Sequence, residues 1–232
     1  ALMLRARPRP SRGRRMALPV RPLAVGVTAV FVVSSLWSTW TFVRSWRVGP
    51  SETYITTVRS ALRAWDGVPL LEQEVPWNVL NPMAYPQNLT SSVLAPVAAP
   101  GTFAVSTPHL RMITDDGAIV DAAVWWNRAI LSGPEPGCGY RVDGARSTLL
   151  RLDGPMLANK WTAQLNYVAS RDGRVSVAME HGEAVSAPVR KGLNTVFVRL
   201  VGSGSALRIS ADTPGLDLCV GVGPVGVASY DN

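Results

Sequence analysis

Twenty-two consecutive residues without a charge, Pro22–Val43, constrain this chain more than any other stretch. As a helix, at about 1.5 Å per residue, such a run spans roughly 33 Å, enough to cross a hydrocarbon core of about 30 Å. Arg21 and Arg44 bracket it. The run predicts a transmembrane α-helix over 22–43, set in the lipid bilayer and dividing a short basic tail, 1–21, from a long second part. A cleaved signal sequence would carry a shorter apolar region, about 7–15 residues, ending in small side chains. Here the exit is Leu36-Trp37-Ser38-Thr39-Trp40, and Trp37, Trp40 and Trp46 read as an aromatic belt on the outer side of the membrane. The expectation is therefore an uncleaved anchor. The chain starts at Ala1, which leaves open whether an initiator methionine was removed or the sequence is part of a longer polypeptide.

The net charge of +7 belongs to the tail. Residues 1–21 hold seven arginines and no acid, whereas from Arg44 onward the acids and bases cancel. A basic tail beside an apolar span follows the positive-inside rule and predicts a cytoplasmic N-terminus, with arginines that also meet anionic headgroups. Nucleic acid is not an expected partner. The part after Arg44 is then extracytoplasmic, which suits the two cysteines, Cys138 and Cys219. In an oxidising compartment they are expected to form a disulfide that closes a loop of about 80 residues, worth about 4 kcal/mol in the chain-entropy account. Two buried free thiols are the alternative.

Beyond the span, Ser51 looks like an N-cap with Glu52 in the first turn, and Tyr54, Val58, Ala61, Leu62 and Trp65 recur at helical spacing. This predicts a short amphipathic helix ended by Asp66-Gly67. Residues 68–101 carry six prolines among many apolar side chains, which excludes a central strand or long helix. The reading for 44–101 is the short helix followed by an ordered, proline-rich segment wrapping another surface, with one helical turn near Thr90–Leu94. Asn88-Leu89-Thr90 matches a glycosylation sequon, a match too frequent by chance to carry an argument.

From Phe103 the apolar pattern has period two. Leu110–Ile113 and Ile119–Ile130 alternate around Asp115-Asp116-Gly117, and Ser147–Leu152, Lys160–Ala169, Arg174–Glu180, Ala184–Val189, Thr195–Val201, Leu207–Ala211 and Leu216–Val222 follow. Turns rich in Gly, Pro and Asp separate them, and Gly202-Ser203-Gly204-Ser205 reads as a hairpin loop. The fold class expected for 102–232 is all-β, a jelly-roll or β-sandwich extracytoplasmic domain, preceded by one transmembrane α-helix and a short amphipathic helix.

Few motifs carry chemistry. Gly221-Val222-Gly223-Pro224-Val225-Gly226 fits GxGxxG, but no helix can follow it and Pro224 lacks an N–H for a phosphate, so it reads as a terminal strand and turn. His109 and His181 have no second ligand at metal spacing, so no metal centre and no cofactor are expected; a structural calcium held by loop oxygens is the one exception kept open. Asp115 and Asp121 are an example of carboxylates within reach of pairing in the fold, and nothing marks them for a catalytic role. No catalytic residue is assigned. The aromatics point further. Trp125 and Trp126 are adjacent in a strand and face opposite ways. The even face, with Val120, Ala122 and Val124, is the more apolar, so Trp126 is expected in the core and Trp125 outside. Beside a polar face of Gln164, Asn166 and Arg199 with Phe197, an exposed Trp125 would stack on a sugar ring while amides and guanidinium bond its hydroxyls. The competing reading packs Trp125 under the proline-rich wrap.

The order of features carries a resemblance. An apolar helix, a short helix, VPLLEQEVPWNVLNPMAYPQNLTSSVLAP, a strand with an Asp-Asp-Gly turn, GPEPGCGYRV and a β-region ending in LCVGVGPVG resemble the C-terminal part of large actinobacterial multi-pass membrane proteins. Those proteins are similar to GT-C type glycosyltransferases that use lipid-linked sugars. The resemblance covers most of 23–232 and is best marked at Val68–Pro96 and Gly133–Val142; the arginine-rich, Ala/Val/Gly/Pro-rich composition fits a high-GC source. It implies a terminal β-sandwich that binds or positions carbohydrate. It carries over no catalytic residue, because in that family the catalytic acid lies on an early extracytoplasmic loop and this chain has one span. Three functions are thus expected in order: a module for cell-envelope carbohydrate, with a cell-wall polysaccharide or a membrane glycosyltransferase as partner; a docking domain for a partner membrane protein without sugar contact; and a glycan hydrolase or lyase, for which no base or carboxylate pair stands out.

Overall fold

A computed structural model describes residues 20–47, 49–80, 83, 85–131, 137–144, 147–221 and 223–230. The basic tail before Val20, the side chains of Trp46 and Trp126, and residues 132–136 of the Gly133–Val142 stretch lie outside the described residues. The chain divides into two compact units, Ala1–Val48 and Gly49–Asn232. It is mostly β, with one large antiparallel sheet, preceded by an N-terminal apolar helix and another short helix.

In the first unit, α1 (Val20–Arg47) begins two residues before the apolar run and ends four after it. Its Ala24–Arg44 segment is long and apolar enough to cross a membrane, and every side chain in that segment is exposed. The apolar groups surround the helix instead of gathering on one face, the pattern of a helix whose environment is apolar all round. Hydroxyls in it bond back to the backbone: Ser34 donates to the Phe31 carbonyl and Thr41 to the Ser38 carbonyl, both at 2.9 Å. Trp37 and Trp40 stack with centroids 5.4 Å apart, and the Arg44 guanidinium lies 5.3 Å from the Trp40 ring centre.

The second unit opens with α2 (Pro50–Arg63). Ser51 is not its cap. Pro50 occupies the first turn, where its fixed φ favours helix, and Gly49 takes the N-cap position without a side-chain bond. Ser51 instead donates to the Asn78 carbonyl at 3.5 Å. The apolar face behaves as its spacing requires: Tyr54 and Val58 are fully buried and pack with Leu70, Val75, Leu94 and Ile113. The proline-rich segment therefore has a core of its own. Within it β1 (Leu70–Leu71) pairs in parallel with β2 (Phe103–Ala104), and α3 (Thr90–Val93) supplies the single helical turn. Asn88 is 0% exposed, so the sequon is closed in the folded protein. Then come β3 (Ser106–Thr107) and a hairpin of β4 (Arg111–Ile113) and β5 (Ile119–Asp121) around the Asp115–Gly117 turn. Arg111 ties that hairpin to the end of α2, with Asp66 at 2.8 Å and Asp121 at 3.2 Å.

The remaining strands are β6 (Ala123–Leu131), β7 (Tyr140–Val142), β8 (Thr148–Ala169), β9 (Gly173–Gly182), β10 (Val185–Val189), β11 (Gly192–Ala211), β12 (Leu218–Val220) and β13 (Pro224–Ser229). Together with β3 they make a nine-stranded sheet among the described residues, ordered β10-β9-β11-β8-β12-β7, with β13 and β6 joining β8 and β3 joining β11. The Ile119–Ile130 strand is broken at Ala122, whose N–H bonds the Leu110 carbonyl, so β5 stays with its hairpin and β6 joins the large sheet.

Two expected interruptions are absent. Ser147–Leu152 and Lys160–Ala169 are one strand of 22 residues, and Thr195–Val201 and Leu207–Ala211 are one of 20. Gly202–Ser205 is not a hairpin loop but an irregularity inside β11, where the register against both β8 and β9 shifts. Glycine is needed there: Gly202 has φ of 153°, and a Cβ on it would stand 2.6 Å from the His181 carbonyl of β9. Glu180 braces the bend, accepting from the Ser205 N–H at 2.9 Å and its hydroxyl at 3.1 Å.

The core joins both sides of this bend. Leu150, Val175, Val177, Met179, Leu207 and Ile209 from one half share a single buried cluster with Trp161, Leu165, Val196, Val198, Leu200 and Val220 from the other. Full burial of each such side chain is worth roughly 1.5–3 kcal/mol. A disulfide joins Cys138 and Cys219, 81 positions apart in sequence and with Cα atoms 5.0 Å apart, beside the β7–β12 pairing. An apolar N-terminal helix of signal or anchor type, together with this disulfide, marks the β unit as a secreted or membrane-anchored extracytoplasmic domain.

Reduction of the disulfide, or Cys219→Ser, is expected to lower the unfolding free energy by about 2–5 kcal/mol, read from urea melts of the oxidised and reduced protein. Acid acts through the carboxylates. Hydrogen bonds from Ser205 hold the Glu180 carboxyl below its ordinary value, as Arg111 does first for Asp66 and Thr114 for Asp116. Groups depressed in the folded state stabilise it above the unfolded carboxylate range and lose that contribution as pH falls through their folded values. The urea midpoint should therefore drop between about pH 6 and about pH 3, and Glu180→Gln should make the drop smaller.

Candidate functional site

The outer face of the central strands is built by alternation. In β8, Trp161, Ala163, Leu165 and Tyr167 point into the core, which turns Lys160, Thr162, Gln164 and Asn166 outward. Register against β11 sets Thr162 opposite Arg199, Gln164 opposite Phe197 and Asn166 opposite Thr195. Gln164, Asn166 and Arg199 thus share one face, as the sequence suggests. Trp125 does not join them. It stands opposite Val227 of β13, and two residues back on that strand Val225 stands opposite the inward Ala163. Trp125 therefore belongs to the other row, where its half-exposed ring (51%) lies beyond the core. The error in grouping the four arises because sequence gives each strand's alternation but not its phase against a neighbour. Val124 is buried, yet it packs in a small separate cluster with Leu71 and Leu110, next to Phe197 and Ala228, so the even face of β6 meets the proline-rich segment and not the main core.

Gln164 and Asn166 are occupied with each other. The Gln164 amide donates to Asn166 Oδ1 at 3.2 Å, and Thr195 donates to the same oxygen at 2.9 Å. Strand β13 and the glycines before it lie close: the Gly221 N–H bonds the Asn166 carbonyl at 2.7 Å, and a Cβ on Gly223 would collide with the Gln164 carbonyl at 2.1 Å. The GxGxxG match is thus a glycine track for strand contact leading into β13.

Arg199 lies elsewhere, in a cleft of about 270 Å³ between the wrap and the sheet. Glu72, Gln73 and Glu74 form one wall; Lys160, Thr162 and Arg199 form the other, with Trp161 and Val227 at one side. The wrap side is fixed by its own bonds. The Gln73 amide both donates to the Ile113 carbonyl (2.8 Å) and accepts from its N–H (2.9 Å), imitating a strand partner. Glu72 accepts from the Thr90 hydroxyl at 2.5 Å and the Ser91 N–H at 3.0 Å, at the start of α3. Lys160 reaches across from the sheet, paired with Glu74 and 4.2 Å from the centre of the Tyr85 ring. Burial first, and the nearby Arg199 second, push the Lys160 ammonium below its ordinary value. Arg199 has no acid to answer it: its Nη2 is buried with no hydrogen-bond partner among the described residues.

That arrangement presents cationic N–H donors, a hydroxyl and carboxylates around a small cleft, the inventory that binds hydroxyl-bearing ligands. Of these cleft residues, the sequence marks Arg199 as a candidate and does not mark Lys160 or Glu74. Their only signal was an outward lysine on a polar strand face and an acid in the proline-rich segment, and nothing local joins the two. Asp121 is bonded to Arg111 and not to Asp115. His109 and His181 are both exposed, and among the described residues no three His, Cys, Asp or Glu gather as metal ligands.

Lys160→Met keeps the apolar stem but loses the contacts to Glu74 and Tyr85. It is expected to cost about 1 kcal/mol and to raise amide hydrogen exchange in Glu74–Asn88, leaving the β8–β11 amides protected. Comparison with known protein families, curated proteins and solved structures finds no match to this chain.

Proposed function

We propose that the chain is a membrane-anchored extracytoplasmic module, of β-sandwich and jelly-roll type, that binds or positions cell-envelope carbohydrate as the non-catalytic C-terminal part of a membrane glycosyltransferase. The observation that carries it is the Arg199 cleft: a buried guanidinium nitrogen without an acceptor, beside Lys160, Thr162 and Glu74, in a recess of about 270 Å³. An unanswered buried donor costs about 1–3 kcal/mol, and a sugar hydroxyl relieves that cost. Trp125, on the other row of the sheet, is not part of this cleft. The anchor reading rests on α1, apolar all round and exposed along Ala24–Arg44, and on the seven arginines before the uncharged run Pro22–Val43, which favour a cytoplasmic N-terminus.

Isothermal titration of the full chain in neutral detergent with arabinan and mannan fragments tests this. Arg199→Met should weaken binding about 10–100-fold, the loss of one or two charge-assisted hydrogen bonds. Trp125→Ala should leave fragment binding at this cleft unchanged. Absence of binding by every fragment, or binding indifferent to Arg199→Met, would sink the proposal.

A docking role without sugar contact is the second reading. It is favoured by the exposure of Trp77 (80%) and Met83 (91%) on the proline-rich segment. Crosslinking in membranes that recovers only monomer counts against it.

A further inference from the structure

The second unit holds another recess, of about 390 Å³, between the C-terminal half of α2 and the segment after α3. It shares no lining residue with the Arg199 cleft. Leu62, Pro96 and Val97 give it apolar walls, while Arg59, Arg63 and Trp65 bring nitrogen donors. Both arginines are exposed, and neither has a carboxylate partner among the described residues. They lie one helical turn apart, where like charges repel. The C-terminal end of the helix dipole favours Arg63, in the last turn, but does little for Arg59 one turn earlier. The Trp65 indole Nε1 is buried beside them with no acceptor among the described residues. The lining thus holds two arginines and no acid, and one of its residues carries a buried indole N–H without an acceptor among the described residues.

We infer that this recess is a binding site for a phosphate ester attached to an apolar body. Guanidinium forks match phosphate oxygens in paired hydrogen bonds, and a neighbouring indole N–H adds a third direction. The apolar wall takes the carbon portion of the ligand. A lipid headgroup and a soluble phosphate ester share this chemistry, and the site accepts either on these grounds.

The test uses the full chain in a neutral maltoside detergent, with phosphorus NMR line broadening as the readout. The probes are dihexanoyl phosphatidic acid, dihexanoyl phosphatidylcholine and inorganic phosphate. Phosphatidic acid is expected to broaden on addition of protein, more than the zwitterionic lipid, and to sharpen as salt is raised. Arg59→Gln with Arg63→Gln should weaken it at least about tenfold, equivalent to about 1.4 kcal/mol, with the urea midpoint as the control for folding. Trp65→Phe, which keeps the ring and removes the donor, should weaken it less. Tight phosphatidic acid with weak inorganic phosphate supports the inference; equal binding of the two overturns it, because the apolar wall then contributes nothing. No broadening by any probe, or broadening unchanged in the double variant, overturns the inference.

Discussion

The pairing of β8 with β11 is the constraint on which the rest of the β unit depends. Strands of 22 and 20 residues would each extend about 70 Å if straight, far more than a domain of this size can hold. They must bend together, and they do so where Gly202 and Gly204 let β9 approach and the register shift. Because both strands continue through the bend, the two halves of the sheet are held by the same backbone ladders. The buried cluster running from Val177 and Ile209 to Trp161 and Val220 follows from that geometry. Glu180 secures the bend from β9, and the Cys138–Cys219 bridge secures the opposite side beside β12.

The proline-rich segment obeys a different rule. Its prolines deny it ladder hydrogen bonds, so its polar groups find partners one at a time. Gln73 substitutes for a strand against Ile113, Glu72 receives the first turn of α3, and Lys160 clamps Glu74 and Tyr85 to the sheet. Where such individual solutions fail, buried donors are left over. The Asn88 amide is such a case, without a partner among the described residues; outside the segment, Arg199 and Trp65 each carry a buried unpartnered nitrogen and each side chain lines a recess. Buried polar groups in folded proteins are nearly always satisfied. Such exceptions beside a recess are the ground on which the two binding proposals rest.

Much of this was legible in residue order. The alternation Val175, Val177, Met179 and the row Trp161 to Tyr167 gave the inward face directly, because period two is a property of the strand itself. The helix through Tyr54 and Val58 was equally plain. Strand continuity was not. Gly154-Pro155 and Gly202–Ser205 carry turn-forming residues, and only the neighbouring strands show that they are passed through. The candidate site was half legible. Gln164, Asn166 and Arg199 share a face as their parity requires, but the phase of Trp125 relative to that face is a matter of pairing between distant strands, which no local pattern records.

By itself the sequence determined the apolar helix, the neutral balance of everything after it, the amphipathic helix and the β class of the long second part. Each of these follows from composition, spacing or periodicity within a few residues. Tertiary structure alone decided which strands merge and bend, that Gln164 and Asn166 satisfy one another, and that Lys160, Glu74 and Arg199 meet in one cleft. Those outcomes depend on contacts between residues dozens of positions apart, whose hydrogen-bonding needs are balanced only once the chain has folded.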